Sequence, residues 1–116
     1  MFVEQRKHKR FVTNLPCKIH YFKDGIRQRG NMEARLMNIS AGGALIHPRF
    51  MLRRDVHLYL ILDNYPVKIS AAIVDITKNV HHLKFAKELP EKVVEPIAAG
   101  APYNAILNWK SRKVEN

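Results

Sequence analysis

Asn38 and Ser40 flank Ile39, and Gly42 and Gly43 follow almost at once. In an extended chain, side chains two residues apart leave the same face. The pair would therefore present two polar groups side by side. Glycine lets a backbone turn at positive φ and lets another molecule come close. A polar pair beside bare backbone suits a flat, hydrogen-bonding ligand, although the same run also reads as a plain hairpin turn. Upstream, Arg6-Lys7-His8-Lys9-Arg10 sets two arginines four residues apart in a cationic arm. A guanidinium fork pairs with phosphate oxygens or with the edge of guanine.

This pair of motifs resembles the PilZ domain family, bacterial receptors for cyclic di-GMP. The family pattern R-x-x-x-R, then D/N-x-S-x-x-G, is met by Arg6 and Arg10, then Asn38, Ser40 and Gly43. The resemblance covers roughly residues 4–100. It implies an all-β-dominated fold, a six-stranded antiparallel barrel with a C-terminal helix. It also implies that Arg6 and Arg10 contact guanine edges and phosphates. Asn38 and Ser40 would meet the polar edge of a guanine or a phosphate, and Gly43 would allow the turn. Lys7, Lys9, Gly42 and His82 are further candidates for the ligand site. Two departures stand out. Gln5 precedes Arg6 where relatives often carry another basic residue. His82 stands where a family glycine often opens a G-x-x-F run, ahead of Leu83, Lys84 and Phe85.

The elements that must hold these residues follow from alternation. The arm is residues 1–10, expected to lack fixed structure without ligand. The barrel is residues 11–89. Cys17, Ile19 and Tyr21 alternate with Lys18, His20 and Phe22, with Pro16 expected at the strand's start. Lys23-Asp24-Gly25 reads as a turn. Met32, Ala34 and Leu36 form the inward set of the next strand, and Asn38 and Ser40 continue the Leu36 face on that register. Ala44-Leu45-Ile46 opens a third strand that Pro48 ends. Val56, Leu58, Leu60 and Leu62 mark a fourth, Val67, Ile69, Ala71 and Ile73 a fifth, and Leu83 with Phe85 a sixth. Turns are expected at Asp63-Asn64 and Thr77-Lys78-Asn79. The segment 90–116 changes period. A short helix opens at Pro90 and is interrupted at Pro96, and a second runs from Tyr103 to about Arg112, with Tyr103, Ile106, Leu107 and Lys110 on one face.

Composition narrows the function classes. With 116 residues, 47% hydrophobic and 26% charged, the chain is one globular domain. Its net charge of +10 favours an anionic partner. Residues 1–54 hold 12 Lys and Arg against 3 acids, and residues 55–116 hold 8 against 7. The excess lies in the half that carries both motifs. A single Cys17 excludes an internal disulfide and fits a reducing compartment. No signal-peptide core or membrane-length apolar run is read, so a cytoplasmic location is expected. His20, His47, His57, His81, His82 and Cys17 lack ligand spacing, and adjacent strand histidines face opposite ways, so no metal and no cofactor is expected. Cys17 reads as a buried thiol. No triad or carboxylate pair points to an enzyme.

The expectation is therefore a stand-alone cyclic di-GMP receptor whose arm orders on binding and signals to a downstream protein partner. Two alternatives are a PilZ-like adaptor that acts without nucleotide and a small basic barrel that binds nucleic acid. For the last, Tyr21, Phe22 and Tyr59 would be the stacking aromatics, but no RNP-like cluster accompanies them, so no polynucleotide partner is expected. Tyr103 and Trp109 either pack on the barrel or offer a partner surface.

Overall fold

The computed structural model describes residues 8–23 and 28–109, with side chains over 8–22 and 30–109. Six strands form: β1 (Phe11–Lys23), β2 (Gln28–Ile39), β3 (Gly43–Pro48), β4 (His57–Leu62), β5 (Tyr65–Thr77) and β6 (Val80–Phe85). Two helices follow, α1 (Glu91–Ala98) and α2 (Tyr103–Ile106). The strands close into an antiparallel barrel in the order β1-β2-β3-β6-β5-β4. Closure removes free sheet edges. Alternating apolar residues line the interior: Ile19 from β1, Leu36 from β2, Ile46 from β3, Leu60 from β4 and Ile73 from β5 are all fully buried. Lys78 (φ 50°) and Asn79 (φ 71°) both take the left-handed region that a tight two-residue hairpin requires.

Bulges alter the expected registers. On β2, Leu36 pairs with Ile46, yet the next β3 residue, Leu45, pairs with Asn38, so Met37 is an extra residue. That one residue reverses the faces beyond it. Ile39 and Ala41 therefore enter the core at 0% exposure, while Asn38 and Ser40 face outward and do not continue the Leu36 face. A matching bulge on β5 makes Val74 extra, since Ile73 pairs with Leu83 and Asp75 with His82. A third, on β1 between Val12 and Leu15, leaves Thr13 buried, and its hydroxyl donates to the Leu36 carbonyl.

Other expectations need correction. Pro16 lies inside β1, not at its start. Pairing to β4 begins only at Cys17, so Pro16 has no β4 partner and proline is tolerated there. Val67 is exposed, because residues 66–68 leave the ladder between the Leu60–Ile69 and Leu62–Tyr65 pairs. Strand β4 starts at His57, leaving Val56 half-buried before it. Asp24 and Gly25 lie outside the described residues. Helix α1 continues through Pro96. The ring removes one donor from the ladder; burial of Val93, Val94, Pro96 and Ile97 on the barrel offsets it. Helix α2 is one turn within the described residues. Ile106 is buried, Leu107 is exposed, and Trp109 packs half-buried against the core. Lys110 and Arg112 lie outside the described residues. Asn64 ties α1 to the barrel, its amide donating to the Ile97 and Ala101 carbonyls at 3.2 and 2.9 Å. No helix among the described residues is long and apolar enough to cross a membrane.

Candidate functional site

The outward turn of Asn38 and Ser40 opens a groove at one end of the barrel. Arg10, Asn38, Ser40, Gly42, Gly43 and His82 line it, joined by Leu45, Val74 and Lys84. Its volume is about 230 Å³. Small-molecule sites usually hold about 300–1,000 Å³, so the described wall encloses less than such a site does. The two bulges flank the groove, which is how residues from β2 and β6 come to share one outer face. Arg6 and Lys7 lie outside the described residues. Lys9 is exposed with its Nζ 5.1 Å over the Phe11 ring and does not line the groove.

The turn itself is held from several directions. The Ser40 N–H donates to the Gly43 carbonyl at 2.8 Å. The Ser40 hydroxyl accepts from Gly42 and Gly43 N–H at 3.3 and 3.2 Å and donates to the Gly43 carbonyl at 3.3 Å. Behind it, Phe85 N–H donates to the Gly42 carbonyl and Leu89 N–H to the Ala41 carbonyl, at 2.9 and 2.8 Å. Gly42 and Gly43 do not use positive φ, contrary to the simple reading of the glycine pair. Gly43 is required by packing: a Cβ there would lie 2.3 Å from the Leu83 carbonyl oxygen on β6.

His8 fastens the last part of the arm beside this turn. Its Nδ1 bonds the Glu91 carboxylate. Its Nε2 lies 3.0 Å from Glu88, off the line of a well-formed hydrogen bond. A Cβ on Gly42 would come 3.3 Å from His8 Cδ2. The carboxylates of Glu88 and Glu91 favour the imidazolium and raise the His8 pKa. Of the arm, residues 8–10 are described, and His8 is fastened beside the turn by Glu88 and Glu91. Arg10, two residues on, is exposed and makes no hydrogen bond or ion pair to a described residue.

Lys84 and Val74 were not anticipated. Lys84 was legible in principle, since it is two residues from His82 on one strand. Val74 was not, because its bulge is a property of the pairing. A larger hollow of about 620 Å³ lies elsewhere, among Cys17, Arg35, Pro48 and Asp63, and contains none of the motif residues. Cys17 within it is 2% exposed, and burial, aided by Asp63, pushes its thiol up to about 12, so it stays protonated and unreactive. Tyr21 faces the core and packs over Gly30, where a Cβ would meet its ring at 2.3 Å, so it is not available for stacking. Phe22 and Tyr59 meet edge to face at 6.3 Å.

No curated protein was found to match this chain. The model of the PilZ domain family matches residues 4–99 of the 116, a span that holds both motifs, the whole barrel and α1. The chain belongs to the PilZ domain family.

Proposed function

We propose that this chain is a cyclic di-GMP receptor in which the basic arm closes over a preformed turn. PilZ domains are in general cyclic di-GMP receptor modules and not enzymes. The observation that carries the reading is the convergence of Arg10, Asn38, Ser40, Gly42, Gly43 and His82 on one groove. Arg10 and Arg6 would clamp phosphate or the guanine O6/N7 edge. Asn38, outward and half-buried, would hydrogen-bond a guanine edge. Ser40 is best read as the residue that fixes the turn, since its hydroxyl is already engaged by the backbone. Gly42 and Gly43 would let a base approach the backbone. Lys84 adds positive charge, and the His82 ring offers a face to stack on. A turn held in place before binding loses little entropy when the ligand arrives.

His8 gives the arm a hinge. Anchored to Glu88 and Glu91, it holds Arg10 at the groove and leaves the arm beyond it to complete the clamp. Ordering of the arm would then change the surface a downstream protein meets.

The test is calorimetric titration with cyclic di-GMP, with GTP and cyclic GMP as controls. Saturable binding of cyclic di-GMP alone is expected. Arg10→Ala should lose a charged bond worth about 1.5–3 kcal/mol, roughly 10–100-fold in affinity, with an unchanged melting temperature. Unchanged affinity in that variant would refute the clamp. A second reading, an adaptor that acts without nucleotide, draws on His82, whose side chain takes up groove space where many relatives have glycine. No heat with any of the three nucleotides would favour it.

A further inference from the structure

The loop 49–56, at the far end of β3 from the groove, carries Phe50 and Met51, which are 65% and 57% exposed. Two adjacent apolar side chains in water usually sit on a mobile loop tip, but this loop is fastened along its length. Arg49 N–H donates to the Glu33 carbonyl at 3.2 Å, and Phe50 N–H to the Met32 sulfur at 3.1 Å. Leu52 N–H donates to Nε2 of the fully buried His81 at 2.9 Å. Asp55 turns the chain at φ 69° and its N–H donates to the Ile73 carbonyl at 2.8 Å. Phe50 is thus held as a ridge between two hollows. One, of about 400 Å³, is walled by Tyr21, Met32, Leu52 and Val56. The other, of about 430 Å³, sets Lys18 and Arg49 against Glu33.

We infer that this end of the barrel is a docking surface for a segment of another protein that carries carboxylates around an apolar or aromatic anchor. The anchor would enter the apolar hollow beside Phe50 and Met51. Among the described residues that line the second hollow, Lys18 and Arg49 stand against the carboxylate of Glu33, so the rim is matched to acidic residues. Arginine forks hold carboxylates bidentately. Rigid, exposed aromatic and methionine side chains are what interface centres are built from, because little entropy is lost on docking. A second copy is disfavoured as occupant by the +10 charge each would bring. A lipid surface is disfavoured because it cannot fill two concave hollows. The surface lies away from the nucleotide groove, and the inference stands whether or not that groove binds cyclic di-GMP.

Amide chemical-shift mapping on the full chain tests this. The probe is a short synthetic peptide of glutamates around one central phenylalanine. Its controls are the same peptide with serine for phenylalanine, and anionic phosphatidylglycerol vesicles. The expected result is saturable shifts at residues 49–56 and around Met32, weakened about tenfold or more by the Phe50→Ser/Met51→Ser double variant. Arg49→Glu, which alters only the rim, should weaken binding as well and keeps the test open should the double variant unfold. The inference is overturned if no saturable shift appears, or if the serine peptide binds equally well. It is also overturned if both variants bind like the parent, if vesicles perturb these amides where the peptide does not, or if sedimentation shows the surface occupied by a second copy.

Discussion

The two ends of the barrel use histidine in opposite ways. At the groove end, His8 is tethered between Glu88 and Glu91, whose side chains are largely exposed, and its pKa is raised. At the loop end, His81 is fully buried, and burial lowers its pKa. Its Nε2 accepts from Leu52, so the proton sits on Nδ1, which has the Asn79 backbone as neighbour but no aligned bond. The first histidine is a surface tether held between two carboxylates. The second is a neutral structural strut. The groove end gains rigidity from backbone bonds within a glycine turn and leaves Arg10 exposed beside it. The loop end gains rigidity from a buried side chain and leaves apolar groups free.

The largest expected effect would break the strut. His81→Ala removes a fully buried side chain and strands the Leu52 N–H, a loss of about 2–4 kcal/mol. Denaturant unfolding would show it, and amide exchange should quicken most around residues 50–54. Protection spread evenly over the barrel would mean that the loop is held by other means.

Next comes the groove end. Gly43→Ala places a methyl group against the Leu83 carbonyl, and forced separation of β3 from β6 should cost about 1–3 kcal/mol. Melting would measure this. A neutral result would return Gly43 to the role of a simple turn residue. Ser40→Ala should be milder in stability, about 1 kcal/mol. It should loosen the turn and weaken cyclic di-GMP binding through slower ordering of Gly42 and Gly43, seen as faster exchange of those two amides. Full retention of their protection alongside lost affinity would instead make the hydroxyl a direct ligand contact.

The smallest effect is the opposite response of the two histidines to pH. A proton held more tightly in the anchored arm than in a free one makes anchoring strongest below about pH 6.5, the ordinary histidine value. Anchoring is lost as pH rises through the raised His8 value. His81 runs the other way. Its contribution is full above about pH 6.5 and falls as pH drops toward its lowered value, because the unfolded chain takes up a proton the folded one refuses. Resonances of His8 and of the Leu52 amide followed from pH 5 to 8 should therefore change in opposite senses, and parallel changes would remove the distinction. Glu88 and Glu91 face His8, and His47 and His82 lie near His81, so these four are the groups to track alongside.

Much of the barrel was legible in the residues. Strict alternation in Cys17-Ile19-Tyr21, Met32-Ala34-Leu36 and Leu58-Leu60-Leu62 sets which face is apolar, and water drives those faces together whatever the partners are. The R-x-x-x-R and N-x-S-x-x-G motifs carried the family, which the match over residues 4–99 bears out. The membership of the groove was less legible. Asn38 and Ser40 reach the outer face only because Met37 is an extra residue against β3, and Val74 is extra against β6 in the same way. A bulge depends on two strands at once, so no single strand's pattern reveals it. The same holds for His8, whose two carboxylates come from the far end of the sequence, and for Gly43, whose constraint is a carbonyl on another strand. Local pattern sets which residues hide from water. The meeting of distant segments sets which charges, turns and hollows the surface presents, because those contacts exist only once the barrel has closed.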